Sequence, residues 1–302
     1  MSVTRIATFA HTQSMVSASL KLQAQMAKVQ EQEASGLKST SLGGLGTDAA
    51  RLLRLQSQST RLAAENASAS DALSFAEAAY AAIGDISDLA TGILAQLAAL
   101  NSGSAEDADL VASYASQWLE DLGSMLNADL GGVSLFAGEA LDRAAVDFSD
   151  ADYDPTLDPD AADFAYYQGS DEARTWTSAD GTEIPISVSA GDPAFEKLAR
   201  ALSLLAASPD DAATSTKAYD LVQEAVSEIG VLQETVSGRA SALQDRVDRN
   251  TAKIDILDGL AADLNGVDLA EAAVLVVQQQ TQLEALYSTI STLSSLSLLK
   301  YL

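Results

Sequence analysis

The sequence predicts a mainly α fold: a long-helix coiled-coil rod formed by the N- and C-terminal segments, with a small β-rich central insert. Three observations carry this expectation. Two heptad runs of nearly equal length flank the middle of the chain. Aromatics make up only 5% of 302 residues, which favours thin, alanine-rich helix contacts over a thick globular core. Residues 144–193 gather four of the five prolines and a cluster of aromatic residues, so helix periodicity fails there.

The first run reads Leu52, Leu55, Ser59, Leu62, Asn66, Ala69, Leu73, Ala76, Tyr80, Ile83, Ser87, Ala90, Leu94, Leu97. The second reads Tyr219, Val222, Val226, Ile229, Gln233, Val236, Ala240, Leu243, Val247, Asn250, Ile254, Leu257, Ala261, Leu264. Polar residues interrupt the runs only at Ser59, Asn66, Ser87, Gln233 and Asn250. A stripe held to a 3.5-residue repeat stays on one face only where two helices wind around each other. Each run predicts a helix of roughly 70 Å at about 1.5 Å per residue. The seam polars are expected to fix register at some cost in stability.

The remaining elements follow in order. A first helix is expected from about Val3 to Ala34, with Ile6, Phe9, Val16, Leu20, Ala27 and Ala34 on one apolar stripe. Met15, Leu22, Met26 and Val29 form a second stripe, and two stripes imply burial on more than one side. Gly36, Gly43, Gly44 and Gly46 interrupt the helix, and Thr47 or Asp48 is placed to cap the next. A turn at 101–104 and a helix start at Ser104, with Glu106, Asp107 and Asp109 in its first turn, precede a third helix ending near Leu130. Val133 to Gly138 reads as a strand. Arg174 to Ser178 and Thr182 to Val188 flank Asp180-Gly181, a hairpin turn signal.

Asp192-Pro193 caps a further helix, and Ser208-Pro209 is expected to repeat that device before the second long run. Asn265-Gly266 ends that run, and Asp268 caps a last helix whose stripe is Leu269, Ala272, Val276, Leu283, Leu286, Ile290 and Leu293, with Leu296, Leu298 and Leu299 beyond. The expected partition is 1–47, N-terminal helix and loop; 48–143, first half of the rod; 144–193, insert; 194–266, second half; 267–302, C-terminal helix. The helical part then forms one discontinuous domain closed by its two ends.

Composition excludes several classes of function. A net charge of −26 leaves nothing to displace counterions from phosphates, so no nucleic-acid partner is expected. No segment reaches the ~18–20 unbroken apolar residues needed to span a bilayer, so no membrane insertion is expected. The N-terminal residues lack the apolar core of a secretory signal. With no cysteine and the single histidine His11, disulfides, thiolate metal sites and a Ser-His-Asp constellation have nothing to build with. No catalytic residue, metal site or cofactor is expected.

Asp150, Asp152 and Asp154 have the opening spacing of a calcium loop, but Pro155 and Ala161 stand where such a loop needs its glycine and its bidentate glutamate. The run, which continues to Asp158 and Asp160, reads as a solvated acidic loop, with weak cation binding the lesser alternative. Charge is unevenly spread: from Leu62 to Asp142 there is no basic residue, and the last 31 residues carry only Glu284 and Lys300. Near-neutral ends favour packing against copies or neighbours, because little desolvation opposes contact.

Four segments resemble a known family. Gln25-Met26-Ala27-Lys28-Val29-Gln30-Glu31-Gln32-Glu33-Ala34-Ser35-Gly36-Leu37-Lys38 resembles the "qxqLSSGkr" segment of bacterial flagellins and hook-associated proteins. Val133-Ser134-Leu135-Phe136-Ala137-Gly138 resembles their "N…g.YlFaG" strand entry, and Tyr166-Tyr167-Gln168-Gly169-Ser170-Asp171 their "y.Gd" segment. Gln282 to Tyr287 followed by Leu296 to Leu302 is similar to the "LEAsy…LSLldYL" close of the branch that joins hook to filament. One departure stands at Gly46-Thr47-Asp48-Ala49-Ala50, where the family has "DDPAaaa".

The resemblance implies an extracellular structural subunit of the bacterial flagellum, located at the hook-filament junction. It implies export through the flagellar type III apparatus without a cleaved signal, and an export chaperone. It implies a homo-oligomer, ring or tubular, with a hook-associated protein and flagellin as neighbours. The assembly interface is then expected on Ile6, Phe9, Val16, Leu20, Val276, Leu283, Leu286, Ile290, Leu293, Leu296 and Leu299. A filament flagellin is the alternative reading, and a secreted type III tip or translocator protein a second one.

Overall fold

The computed structural model describes residues 2–101, 108–140 and 143–298, with side chains over 10–99, 108–140 and 143–292. In chain order the elements are α1 (Ser2–Ser35), α2 (Ala49–Asn101), α3 (Ala108–Leu126), β1 (Asp129–Leu130), β2 (Val133–Ser134), β3 (Thr175–Thr177), β4 (Glu183–Pro185), α4 (Pro193–Ala207), α5 (Ala212–Asn265) and α6 (Leu269–Leu298). The fold is mainly α, with two antiparallel two-stranded hairpins as its only sheets among the described residues. Contacts group the chain into two compact units, one of 1–61 with 253–302, the other of 62–252.

Within the larger unit, α2 and α5 run antiparallel along the residues that the heptads single out. Ala69, Ala76, Ile83, Ala90 and Leu97 on α2 and Val222, Ile229, Val236 and Leu243 on α5 are buried. Asn66 fixes the pairing: its Nδ2 donates to the Val247 carbonyl at 3.3 Å and to Thr251 Oγ1 at 2.9 Å. Of the first seam only Tyr80 lies exposed, on a shallow groove shared with Gly230, Val231 and Gln233 of α5.

Helix α2 buries a second stripe that the heptad does not contain: Ala72, Phe75, Ala79, Ile86 and Ile93. It joins the core around α3, α4 and the insert. Helix α3 turns Val111, Ala115, Leu122 and Leu126 inward, an i, i+4, i+11, i+15 face. It packs against α4, whose Phe195, Leu198, Leu202 and Leu205 are fully buried. Phe136 meets Phe195 edge-on at 5.8 Å, and Tyr166 sits 5.0 Å from Phe148 and 5.3 Å from Tyr153. Each such ring contributes roughly 1.5–3 kcal/mol by leaving water.

Local chemistry sets the element boundaries, with three departures from expectation. Helix α3 ends at Leu126, short of Leu130, because Gly131 and Gly132 form the turn of the β1–β2 hairpin. Both have positive φ, +65° and +85°, the requirement of a type I′ turn. Ser208-Pro209 closes α4 and does not open α5: the Ser208 N–H bonds the Leu204 carbonyl, and Asp211 caps α5 through the Ala213 and Thr214 N–H groups. Helix α2 is entered from a 3-10 turn over Leu42–Asp48, with the Ala49 N–H on the Gly46 carbonyl in place of a side-chain cap. The expected turn at 101–104 and helix start at Ser104 lie largely outside the described residues, although Asp109 does occupy the first turn of α3.

The strands are shorter than expected, β2 covering only Val133–Ser134 of 133–138, while two caps and the second hairpin turn stand where expected. Asp192 caps α4 by accepting from the Ala194 N–H at 3.0 Å, and Asp268 caps α6 through Ala270 and Glu271. The Asp180-Gly181 turn joins β3 to β4, pairing Trp176 with Ile184.

Candidate functional site

Among the described residues, the smaller unit carries most of the exposed large apolar side chains. Helices α1 and α6 pack together as an antiparallel pair. On α1 the covered positions are Thr12, Met15, Ser19, Leu22, Met26 and Val29, and on α6 Ala272, Val276, Gln279, Leu283, Leu286 and Ile290. Both sets step by three and four residues, so the ends carry their own heptad seam. Gln23 Nε2 donates to the Tyr287 hydroxyl across it.

The turns at one end of this pair are strapped together by backbone. The Lys38 N–H donates to the Asn265 carbonyl at 2.6 Å, and the Val267 N–H donates to the Gly36 carbonyl at 3.0 Å. Lys38 also turns its ammonium onto the last carbonyls of α5, those of Asp263 at 3.2 Å and Leu264 at 2.9 Å. A cation at a helix C-terminus satisfies orphan carbonyls and opposes the dipole, a favourable arrangement of roughly 0.3–1 kcal/mol at the surface. Thr40 Oγ1 donates to Glu31 Oε1 at 2.7 Å and Gln32 Nε2 to the Lys38 carbonyl at 2.7 Å, which folds the glycine-bearing loop back on α1.

The expected interface residues divide between two faces. Val276, Leu283, Leu286 and Ile290 line the α1–α6 seam and are half-buried. Val16 and Leu20 stand outside the seam, 44% and 61% exposed. Ile6, Phe9, Leu293 and Leu296 lie in the terminal helices with side chains outside the described residues, as does Leu299 altogether. The two stripes on α1 therefore differ: Met15, Leu22, Met26 and Val29 are covered, and Val16 and Leu20 are left exposed among the described residues.

Sequence reasoning missed apolar residues off the α6 seam. Val274 and Val277 are 67% and 64% exposed, and Leu275 is also exposed; Leu269, expected on the seam, is exposed as well. Their signal was present as consecutive valines and leucines at 274–277, too many for one stripe. Leu42, Leu53, Ile256 and Leu260 add to the apolar surface of this unit.

The other candidate chemistry is occupied by folding. His11 is exposed on α1. In the acidic loop, Asp150, Asp154 and Asp158 each accept from the backbone N–H two residues on, at 3.0, 3.1 and 3.2 Å. Asp160 pairs with Lys217, whose ammonium holds its carboxyl below the usual range. No described helix is long and apolar enough to cross a membrane.

No family model matches the sequence, and no curated protein matches it. Among solved structures, a protein from Vibrio parahaemolyticus described as flagellar hook-associated superposes with a TM-score of 0.60 at 15% identity, covering 74% of this chain and 100% of that one. The chain has the fold of a flagellar hook-associated protein. The crystal structure of Bacillus cereus FlgL is also similar, with a TM-score of 0.41 at 11% identity over 72% of this chain and 98% of that one. In the hook-associated fold, the segments that carry the sequence resemblance occupy distinct places. Gly36 to Lys38 form the strap between chain ends, and Phe136 to Gly138 enter the core of the larger unit.

Proposed function

We propose that this chain is a structural subunit of the bacterial flagellum, an adaptor that joins hook to filament through packing of its terminal helices. The observation that carries the reading is the match to a hook-associated protein along that protein's whole length. The exposed, nearly uncharged apolar surface of α1 and α6 supports it, since a subunit of a tube must offer such faces to its neighbours. In this reading Val16, Leu20, Val274 and Val277 contact neighbouring subunits. The seam through Val276, Leu283, Leu286 and Ile290 holds the two helices as one element.

The subunit forms a ring or tube with copies of itself, stacked between a hook-associated protein and flagellin. It is exported by the flagellar type III apparatus with a chaperone and acts outside the cell. It performs no catalysis. The test is complementation of a strain lacking the gene by the double variant Leu20→Asp with Val277→Asp. Loss of filaments and motility, with helical content unchanged by circular dichroism, is expected; normal filaments would refute the assignment of this surface.

A further inference from the structure

We propose that the larger unit carries a second, head-to-tail contact between copies, in which Leu157 of one copy enters a cavity under Arg174 of the next. The cavity, about 360 Å³, opens between α2 and the two hairpins; its apolar wall is Ala72, Phe75, Leu130, Val133, Trp176 and Ile186, and Ser68, Asp71 and Thr175 make the rest of the lining polar. Its walls are held in place: Trp176 Nε1 donates to Ser68 Oγ at 2.9 Å, tying β3 to α2. The Arg174 guanidinium lies over the Phe75 ring at 5.2 Å from its centroid and has no carboxylate partner among the described residues. In a chain of net charge −26, a cation left without a carboxylate over an apolar cavity favours a ligand that is both apolar and acidic.

The chain supplies that chemistry itself. Leu157 is 84% exposed, the most exposed large apolar side chain among the described residues. It stands between Asp154 and Asp158 on a loop kept rigid by those aspartates and by Arg200, which donates to the Pro159 and Ala161 carbonyls. A rigid apolar knob flanked by carboxylates complements an apolar cavity with a cation on its rim.

The loop does not fill the cavity of its own copy. It is anchored at Lys217 near the start of α5, while the cavity lies beside Arg246, which bonds Glu65 and Asp180. That separation along one helix is on the order of 40 Å at ~1.5 Å per residue. Knob and cavity on different parts of one body make a heterologous contact, which builds rings or tubes and not closed pairs. Asp71 shares the cavity rim and opposes the acidic loop, so its charge limits the strength of the contact.

The contact is independent of the terminal helices and is tested separately. The full chain has no cysteine, so Thr156→Cys beside the knob with Thr175→Cys on the cavity rim introduces the only two thiols and leaves Leu157 and the apolar lining in place. Mild oxidation should give a ladder of disulfide-linked trimers and higher species, absent from either single variant, which can form a dimer at most. Adding Arg174→Glu should reduce the ladder at least tenfold, mixing in chains with Asp158→Lys should restore it, and Asp71→Asn should increase it. Thermal melts followed by circular dichroism verify that each variant is folded. No ladder, a product that stops at the dimer, or a ladder indifferent to Arg174→Glu would overturn the proposal.

Discussion

Glu196 and Arg200, one turn apart on α4, are both buried and bound to each other, Arg200 Nε at 3.1 Å from Glu196 Oε1. The pair also ties the acidic loop to the core. Glu196 accepts from the Asp163 N–H at 3.1 Å, and Arg200 donates to the Pro159 and Ala161 carbonyls at 3.2 and 3.0 Å. Removing one partner leaves an uncompensated charge in the core. Arg200→Ala should therefore cost about 3–5 kcal/mol in urea unfolding. Glu196→Leu together with Arg200→Met should recover most of that loss. A cost below ~1 kcal/mol for Arg200→Ala would show the pair to be solvated.

Asp180 of the insert and Glu196 of α4 should respond to acid in opposite directions. Hydrogen bonds from Ser178, Thr182 and Arg246 hold the Asp180 carboxyl well below its usual range. A depressed folded value gives stability that is present above the unfolded value, ~3.9, and lost as pH falls towards the folded one. Burial instead pushes Glu196 up, so its charged form costs stability at neutral pH and that cost vanishes on acidification. Protection from hydrogen exchange at the β3–β4 turn, taken relative to the intrinsic rate at each pH, should be steady from neutral pH to about pH 4.5 and lower below it. Asp180→Asn should abolish that pH dependence while leaving the rest of the unit unaffected.

These features differ in how far they could be read from the sequence. The α2–α5 seam was legible because a 3.5-residue stripe has one structural solution, and Leu52, Ala69, Val236 and Leu257 fall where it puts them. The second stripe of α2 was not, since Ala72 and Ala79 are too small to stand out among the many alanines of that helix. Nothing in the sequence marks Glu196 and Arg200 as buried, because the acidic loop that covers them lies more than thirty residues away in sequence. On α1 both apolar stripes were visible, but which one meets α6 depends on the strap at Lys38 and Asn265, a contact between residues far apart in sequence.

Asn250 offers a test of the cost of register. It is 1% exposed in the seam, and neither amide atom has a hydrogen-bond partner among the described residues. A buried polar group without a partner costs about 1–3 kcal/mol. Asn250→Leu should therefore raise stability by roughly that amount. A fall in stability, measured by urea unfolding, would contradict the unpaired state of this amide.

Gly138 tests the entry of the chain into the insert. Its φ is +64°, and a Cβ there would collide with the Ser170 and Glu172 carbonyls. Gly138→Ala should destabilise by about 1–3 kcal/mol through backbone strain and that clash. Unchanged thermal stability would mean that the Ser170–Glu172 segment moves aside.

The central claim concerns place and role in the flagellum. Immunogold labelling of intact flagella, with antibody against this chain, measures it directly. The account predicts label confined to one point between hook and filament. Label along the whole filament, or none on flagella, would contradict it.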